Sequence, residues 1–204
     1  MIHLRKRWIM VFAQCGVVLT GCERALVIGQ YNRSNLNMKK LILINGTMGA
    51  GKTTTCQELL KILQPSVFLD GDWCWKMHPF IVNEETKNMV VNNICFLLNN
   101  FIRCSEYKYV IFCWVMHQNE IIDEILNHLN LENTEPYTIT LTLTEEALTK
   151  RLNDDISKKI RQPDILKKSI DRIGLYSAMN TWKVDVSSIT PYQAALQIQN
   201  HLNS

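Results

Sequence analysis

The residues best suited to chemistry form one short loop, GTMGAGKT, at positions 46–53. The loop fits the pattern G-x-x-x-x-G-K-[ST], in which glycines let successive backbone amides point at phosphate oxygens. Lys52 can reach the outer phosphates as a point charge, and the hydroxyl of Thr53 can ligate Mg²⁺. The loop also follows an apolar run and opens a helical pattern, which is the context that this motif requires. We therefore predict that it binds the phosphates of a nucleotide.

The predicted nucleotide contacts come from the loop and from the first turn of the helix that follows it. Backbone amides surround the phosphates, and the start of the helix adds partial positive charge. The expected ligand is ATP with Mg²⁺. The predicted contact residues are Gly46, Thr47, Met48, Gly49, Ala50, Gly51, Lys52, Thr53 and Thr54.

A second group of reactive side chains lies in LDGDWCWKMHPF, residues 69–80. Asp70 and Asp72 stand at the end of an apolar run, SVFLD, that is typical of a strand. Ligands of parallel α/β sheets bind at the carboxyl ends of the strands, so these two acids should face the phosphate-binding loop. The alternative is a simple turn, because Asp and Gly both favour turns.

The elements that must position these residues alternate along the chain from residue 38 onward. Short apolar runs typical of strands alternate with helical patterns, which implies βαβ units and a mostly parallel sheet covered on both faces. The predicted strands are 41–45, 66–70, 109–116, 137–143 and 182–187. The predicted helices are 53–64, 83–104, 119–129, a segment that begins near Glu145, and 191–202, with Asn83 and Thr190 as caps.

The loop and the acids after the second strand together resemble the small P-loop kinases. These include the adenylylsulfate kinases, the gluconate kinase-like proteins, the chloramphenicol phosphotransferases and, more distantly, the zeta-toxin kinases. The runs NGTMGAGKTTT and LDGDWCW…HPF resemble most closely bacterial AAA-family ATPase or nucleotide-kinase-like proteins, and the resemblance spans residues 39–200. It implies an α/β three-layer sandwich, with a five-stranded parallel sheet in the order 2-3-1-4-5, helices on both faces and a helical lid after strand four.

The resemblance also implies roles for individual residues. Asp72 matches the carboxylate that accepts the proton of the acceptor hydroxyl, and Asp70 either holds Mg²⁺ through water, together with Thr53, or braces Lys52. In many P-loop proteins an acid at the end of strand three orients Mg²⁺. Here strand three ends FCWVMHQ, without an acid, so the second metal ligand is left open.

The aromatic residues after Asp72 have two interpretations. Trp73, Trp75 and His78, continued by Trp114 at the end of strand three, could wall a pocket for a ring-shaped acceptor. They could equally pack in the core beneath the long helix. Both interpretations remain open at the level of sequence.

The lid segment supplies arginines, whose forked donors suit phosphate oxygens. Nucleotide kinases often carry R-L-x-x-R here, and RLNDD places Asp155 where the second arginine would stand. Arg151 is therefore the better-supported catalytic arginine, beside Lys52 and Asp72. Arg161 is a further candidate for substrate binding. Both could instead belong to a solvated, charged helix. After strand five, VDVSSITP resembles the segment that packs along the adenine in these kinases.

Charge and cysteine usage limit the partners and the compartment. The net charge is +3, but residues 1–37 hold five Lys and Arg against one Glu, so the rest of the chain lacks the basic footprint of a nucleic-acid binder. The seven cysteines form no C-x-x-C pair, which argues against zinc and favours a reducing, cytoplasmic compartment. We expect a small-molecule acceptor as partner, no membrane contact for residues 38–204, and a monomer or homodimer.

The first 37 residues require a separate interpretation. MIHLRKR is basic, WIMVFAQCGVVLTGC is mostly apolar, and LTGC resembles a lipid-attachment box, as in an export signal. Met38 is followed at once by KKLILINGT, a natural start for a first strand. We therefore interpret residues 1–37 as an N-terminal extension and residues 38–204 as the kinase domain, with an export signal as the alternative.

These observations predict an ATP-dependent kinase that phosphorylates a small acceptor such as a nucleoside, a nucleotide or a similar metabolite. The chain lacks the N-K-x-D motif by which GTPases read guanine. Two alternatives are kept. One is an ATP-binding regulatory or interaction protein without efficient phosphoryl transfer, and the other is a toxin-like kinase of an activated sugar.

Overall fold

The computed structural model describes residues 38–204, so the predicted extension, residues 1–37, lies outside the described residues. Within the described part of the chain, no helix combines the length and apolar character needed to cross a membrane. The start of the kinase domain near Met38 stays a prediction.

Five parallel strands form a sheet in the order β2-β3-β1-β4-β5. The strands are β1 (Lys39–Asn45), β2 (Ser66–Asp70), β3 (Tyr109–Cys113), β4 (Thr134–Thr142) and β5 (Trp182–Asp185). Neighbouring parallel strands need crossover connections, and the helices between them supply these connections. The predicted fold class and strand order are confirmed.

The described chain contains seven α-helices and one 3-10 helix, and all of them except α7 lie between two strands. They are α1 (Lys52–Ile62), the 3-10 helix (Gly71–Trp75), α2 (Glu84–Arg103), α3 (Asn119–Asn127), α4 (Glu145–Ser157), α5 (Ile165–Ile170), α6 (Ile173–Ala178) and α7 (Pro191–Leu202). The predicted caps are present, since the side chains of Asn83 and Thr190 accept bonds from the first turns of α2 and α7.

The two faces of the sheet bury two separate apolar layers. Side chains alternate along a strand, so Ile42 and Ile44 of β1 pack on one face while Leu41 and Leu43 pack on the other. The first layer lies against α1, α4 and α7, and the second against α2 and α3. This double burial explains why β1 is a continuous apolar run, as expected for a central parallel strand.

Strand β3 ends at Cys113, three residues before the predicted end at Met116. The reason lies in its neighbour β1, which ends at Asn45. The fully buried Asn45 side chain accepts the Met116 N–H at 2.9 Å and donates to the Met116 carbonyl. A side chain thus replaces the next bonds of the ladder, and Trp114 lies beyond the strand.

Strand β5 ends at Asp185, two residues before the predicted end at Ser187. The Asp185 carboxylate accepts both the backbone N–H of Ser187, at 2.8 Å, and its hydroxyl, at 2.6 Å. This local Asx turn diverts the chain from the sheet towards α7.

Helices α4 to α6 occupy the position predicted for the lid, between β4 and β5. Two buried hydrogen bonds tie the second half of this segment to the end of β1 and to the phosphate-binding loop that follows β1. The Thr47 hydroxyl donates to the Ser169 carbonyl at 3.0 Å, and the Asn45 amide donates to the Met179 sulfur at 3.0 Å. The segment is therefore anchored at the carboxyl edge of the sheet, where the predicted site residues converge.

Replacing Asn45 with Ala should destabilise the protein strongly, because it leaves the Met116 N–H and carbonyl without partners. Each unsatisfied buried group costs about 1–3 kcal/mol of unfolding free energy. Urea denaturation measures this loss. The matched control is Asn99→Ala, which removes the same two kinds of side-chain bond, to His128 and Asn130, at a half-buried position. Equal losses in the two variants would contradict the role assigned to Asn45.

Candidate active site

The phosphate-binding loop joins β1 to α1 and has the backbone that its sequence predicts. Gly49 and Gly51 adopt left-handed conformations with φ of 87° and 91°, which side chains with a Cβ rarely adopt. A Cβ on Gly49 would also lie 2.7 Å from a methyl carbon of Leu152 in α4. The loop is therefore shaped by its own glycines and by the lid helix packed on it.

The side chain of Lys52 folds back onto the phosphate-binding loop. Its ammonium group donates to the carbonyls of Gly46 at 2.9 Å and Thr47 at 3.1 Å. Burial lowers the pKa of Lys52, while the acidic groups around it, including Asp72 and Asp70, raise it. A cation is thus held at the loop, beside two carboxylates.

Asp70 connects the first turn of α1 to the 3-10 helix. One oxygen of this buried carboxylate accepts the Thr53 hydroxyl at 2.7 Å, and the other accepts the Asp72 N–H at 3.0 Å. The same bond to Asp72 caps the 3-10 helix. The predicted brace between Asp70 and Lys52 is not among the hydrogen bonds and ion pairs of the described residues.

Thr53 and Asp70 offer the hard oxygen ligands that Mg²⁺ prefers. Residues 38–204 contain no cluster of three or more His, Cys, Asp or Glu side chains able to hold a metal. Mg²⁺ usually binds through one or two protein oxygens, water and substrate phosphates, rather than in an all-protein cage. A bonded hydroxyl and carboxylate beside a phosphate loop fit that pattern.

Asp72 lies at the mouth of the site, in the 3-10 helix. The residue as a whole is exposed, but partial burial of its carboxyl within the site raises the pKa of that group, and the negative charge of Asp70 raises it further. Lys52, Arg161 and Trp114 act in the opposite direction. A carboxyl with a raised pKa is a stronger base than an ordinary aspartate, as general base catalysis requires.

A cavity of about 520 Å³ lies over the loop, within the size range of small-molecule sites. Of the residues predicted for the acceptor, Asp72 and Arg161 line it. Val186, Ile189, Thr190 and Pro191 also line it and belong to VDVSSITP, the segment that resembles the adenine-packing loop. Sequence reasoning did not assign the lining residues Thr55, Val115, Asp154, Asp155 and Lys158 to the site. The signal for two of them was present, because the acidic pair Asp154 and Asp155 interrupts the expected arginine pattern.

The aromatic residues predicted to wall the pocket do not line this cavity. Trp73 is 58% exposed and packs edge-on against Phe68, with ring centroids 5.4 Å apart. Trp75 packs against Phe80, with ring centroids 5.8 Å apart. His78 is exposed.

Trp114 instead packs against the first residue of the 3-10 helix, Gly71. A Cβ added to Gly71 would lie 2.6 Å from Cγ of the Trp114 indole, so only glycine allows this close approach. Because Asp72 directly follows Gly71, the contact also fixes the position of the Asp72 backbone relative to the Trp114 indole. Trp114 therefore acts on the site through the backbone of the 3-10 helix, besides its direct effect on the pKa of Asp72.

The two predicted arginines occupy different parts of the cavity. Arg151 donates to the Ala50 carbonyl at 3.1 Å and to the Val186 carbonyl, and so connects the loop to the segment after β5. Burial lowers the pKa of its guanidinium. Arg161 lines the same cavity as Lys52 and Asp72, and its charge lowers the pKa of both groups.

The sequence of residues 42–171 matches the AAA domain family. The chain belongs to this family. The matched segment contains the phosphate-binding loop, both strand-two acids and both lid arginines. No curated protein matches the AAA-domain chain significantly.

Three solved structures show the same fold at low identity. The tunicamycin resistance protein of Deinococcus radiodurans is 19% identical, with a TM-score of 0.61 over 80% of this chain and 95% of that one. A gluconokinase from Sinorhizobium meliloti 1021 is 15% identical, with a TM-score of 0.58 over 81% and 94%. A sugar kinase from Janibacter sp. HTCC2649 is 11% identical, with a TM-score of 0.60 over 81% and 95%. The AAA-domain chain therefore has a small P-loop kinase fold.

Replacing Gly71 with Ala should force the 3-10 helix away from Trp114. Overpacking of this kind costs about 1–3 kcal/mol of unfolding free energy and would also displace Asp72. Thermal denaturation measures the loss. Gly174→Ala is the matched control, since a Cβ there meets nothing within 4 Å. A Gly71→Ala variant as stable as Gly174→Ala would refute the close packing.

Proposed function

We propose that this protein is an ATP- and Mg²⁺-dependent kinase that transfers the γ-phosphate to a small acceptor. The observation that carries the proposal is the bonded series from the Thr53 hydroxyl through the Asp70 carboxylate to the Asp72 N–H, which links the first turn after the phosphate loop to the residue whose carboxyl has a raised pKa. Phosphoryl transfer depends mainly on positioning and charge neutralisation, and this arrangement supplies both.

The loop and α1 bind the donor. Backbone amides of residues 46–53 hold the phosphates, and Lys52 exchanges its bonds to loop carbonyls for bonds to the outer phosphates. Thr53 and Asp70 would hold Mg²⁺, which would supply positive charge to neutralise the outer phosphates of the nucleotide. Arg151 sits between Ala50 and Val186 and serves the nucleoside side of the donor.

Asp72 handles the acceptor. Its carboxylate takes the proton of the attacking hydroxyl as the new oxygen–phosphorus bond forms, and the bond from the γ-phosphorus to the bridging oxygen breaks to release ADP. Arg161 adds positive charge beside Lys52 and Asp72, where charge accumulates on the transferring group. The case for a contact with the transferring phosphate is therefore stronger for Arg161 than for Arg151.

The acceptor is a hydroxyl-bearing metabolite of nucleoside or sugar type. The names of two structures of the same fold, a gluconokinase and a sugar kinase, support a hydroxyl acceptor. The exposed Trp73 directly follows Asp72 and offers a stacking face for a ring. The domain is expected to act in the cytoplasm, as a monomer or homodimer.

A second candidate function is an ATP-binding regulatory protein without efficient transfer. The observation in its favour is the end of β3, where Trp114 and Val115 stand in place of a metal-orienting acid. A screen of acceptor metabolites separates the two functions. Acceptor-dependent ADP release supports the kinase, whereas ATP binding without turnover for every acceptor supports the regulator.

Lys52→Ala should abolish ATP binding, while Asp72→Asn should leave ATP binding nearly unchanged and slow transfer by about 10²–10⁴-fold, the usual contribution of a general base. Calorimetry measures binding, and acceptor-dependent ADP release measures transfer. Lys61→Ala, an exposed lysine on the same helix, is the control for Lys52 and should behave as wild type. Transfer at the wild-type rate by Asp72→Asn would remove the base assignment.

The pH profile of kcat/KM should show an acid limb above the ordinary pKa of an aspartate. Activity requires ionised Asp72, and burial raises its pKa, so activity falls as pH drops through that raised value. Arg161→Gln should move the limb to still higher pH, because the Arg161 charge lowers the Asp72 pKa. A limb that stays in place in this variant would argue against Asp72 as the titrating group.

A further inference from the structure

Arg161 stands in the connection between α4 and α5 and faces the cavity. An arginine in a loop loses much rotamer freedom when it is held in one position. Its side chain makes one hydrogen bond within residues 38–204, from Nε to Oδ2 of Asp155 at 3.0 Å. Both side chains of this ion pair are about one-third exposed, at 36% and 33%.

The geometry of this bond determines what remains available. Because Nε faces Asp155, the terminal nitrogens of Arg161 have no protein partner in the described chain. These two nitrogens form the fork that binds phosphate oxygens in pairs. The carboxylate thus fixes the guanidinium by its inner nitrogen and leaves the outer edge for a ligand.

The backbone at the end of α4 brings the two residues together. Lys159 adopts a left-handed conformation with φ of 58°, at a position where glycine is usual. The Ile160 N–H donates to the Asp155 carbonyl and the Lys159 N–H to the Ile156 carbonyl, both at 2.9 Å. This is a Schellman turn, and it returns the chain so that Arg161 meets the side chain of Asp155.

The position of Asp155 is otherwise unfavourable. It lies near the carboxyl end of α4, where the helix dipole repels negative charge, and the last turn of α4 contains no basic residue. Stability alone would favour a neutral or basic side chain there. The ion pair with Arg161 offsets this repulsion and gives the acid a function.

We propose that Asp155 is a positioning residue that holds Arg161 through Nε and directs its terminal nitrogens at the outer phosphates of bound ATP. This proposal rests on the proposed function. Asp155 stands where a second lid arginine is expected from the resemblance to nucleotide kinases. The chain thus provides the missing cation from Arg161, six residues later, and uses Asp155 to hold it.

The test measures the affinity of the full-length protein for Mg·AMP-PNP and for Mg·ADP by calorimetry. Asp155→Ala should weaken Mg·AMP-PNP binding about tenfold, within the range of coupling between contacting residues. Mg·ADP binding should weaken much less, because Arg161 and Asp72 line the same cavity and the proposed function places Asp72 on the acceptor side of the phosphates. A purely structural role would lower both affinities equally.

A double-mutant cycle asks whether Asp155 acts through Arg161. In an Arg161→Ala background, Asp155→Ala should cause no further loss of Mg·AMP-PNP affinity. Arg161→Lys keeps the charge but lacks the fork, so it should also lose the preference for Mg·AMP-PNP. The matched control is Asp164→Asn, which breaks the exposed ion pair with Lys168 in the same segment and should change neither affinity.

Three results would overturn the proposal. They are unchanged or tighter Mg·AMP-PNP binding by Asp155→Ala, an equal loss in the Arg161→Ala background, and a loss as large in Asp164→Asn. Lys52→Ala separates this failure from failure of the proposed function. If wild type does not bind Mg·AMP-PNP, or if Lys52→Ala binds it as well as wild type does, the ATP assignment fails and the role of Asp155 fails with it.

Discussion

The site depends on the carboxylate of Asp70. It is buried, and a buried carboxylate is tolerated only when its oxygens are bonded. Its two oxygens take the Thr53 hydroxyl and the Asp72 N–H, so one side chain fixes the first turn of α1 and the start of the 3-10 helix. The donor side and the acceptor side of the cavity are therefore held by the same group, and its charge raises the pKa of Asp72.

The lid segment extends the same arrangement from the opposite wall. Leu152 of α4 packs on Gly49, Arg151 bonds to Ala50, and the α5 carbonyl of Ser169 accepts the Thr47 hydroxyl. The phosphate loop is thus held between the sheet below and the lid above. Irregular backbone near a ligand is stable only when its surroundings determine it, and here each contact comes from an element distant in sequence.

Much of the fold could be predicted, because the strands, helices and caps follow from patterns within short segments of the sequence. The double burial of β1 appears as a continuous apolar run, and the caps at Asn83 and Thr190 use side chains within three residues. The strand order came from the resemblance. The end of β3 could not be predicted, because it depends on Asn45, which is 71 residues away from Met116. The role of the aromatic residues could not be predicted either, since the sequence does not show whether an indole faces a cavity or packs against a glycine.

The sequence by itself determined the phosphate loop, the alternation of strands and helices along the chain, and the placement of two acids at the end of β2, because each follows from residue types at fixed short spacings. Tertiary structure alone decided that Trp114 supports Gly71, that Arg151 faces Val186, and that Asp155 pairs with Arg161. These contacts depend on how a turn or a lid returns to the sheet. That path is set by packing and burial across the whole domain, which no local pattern records.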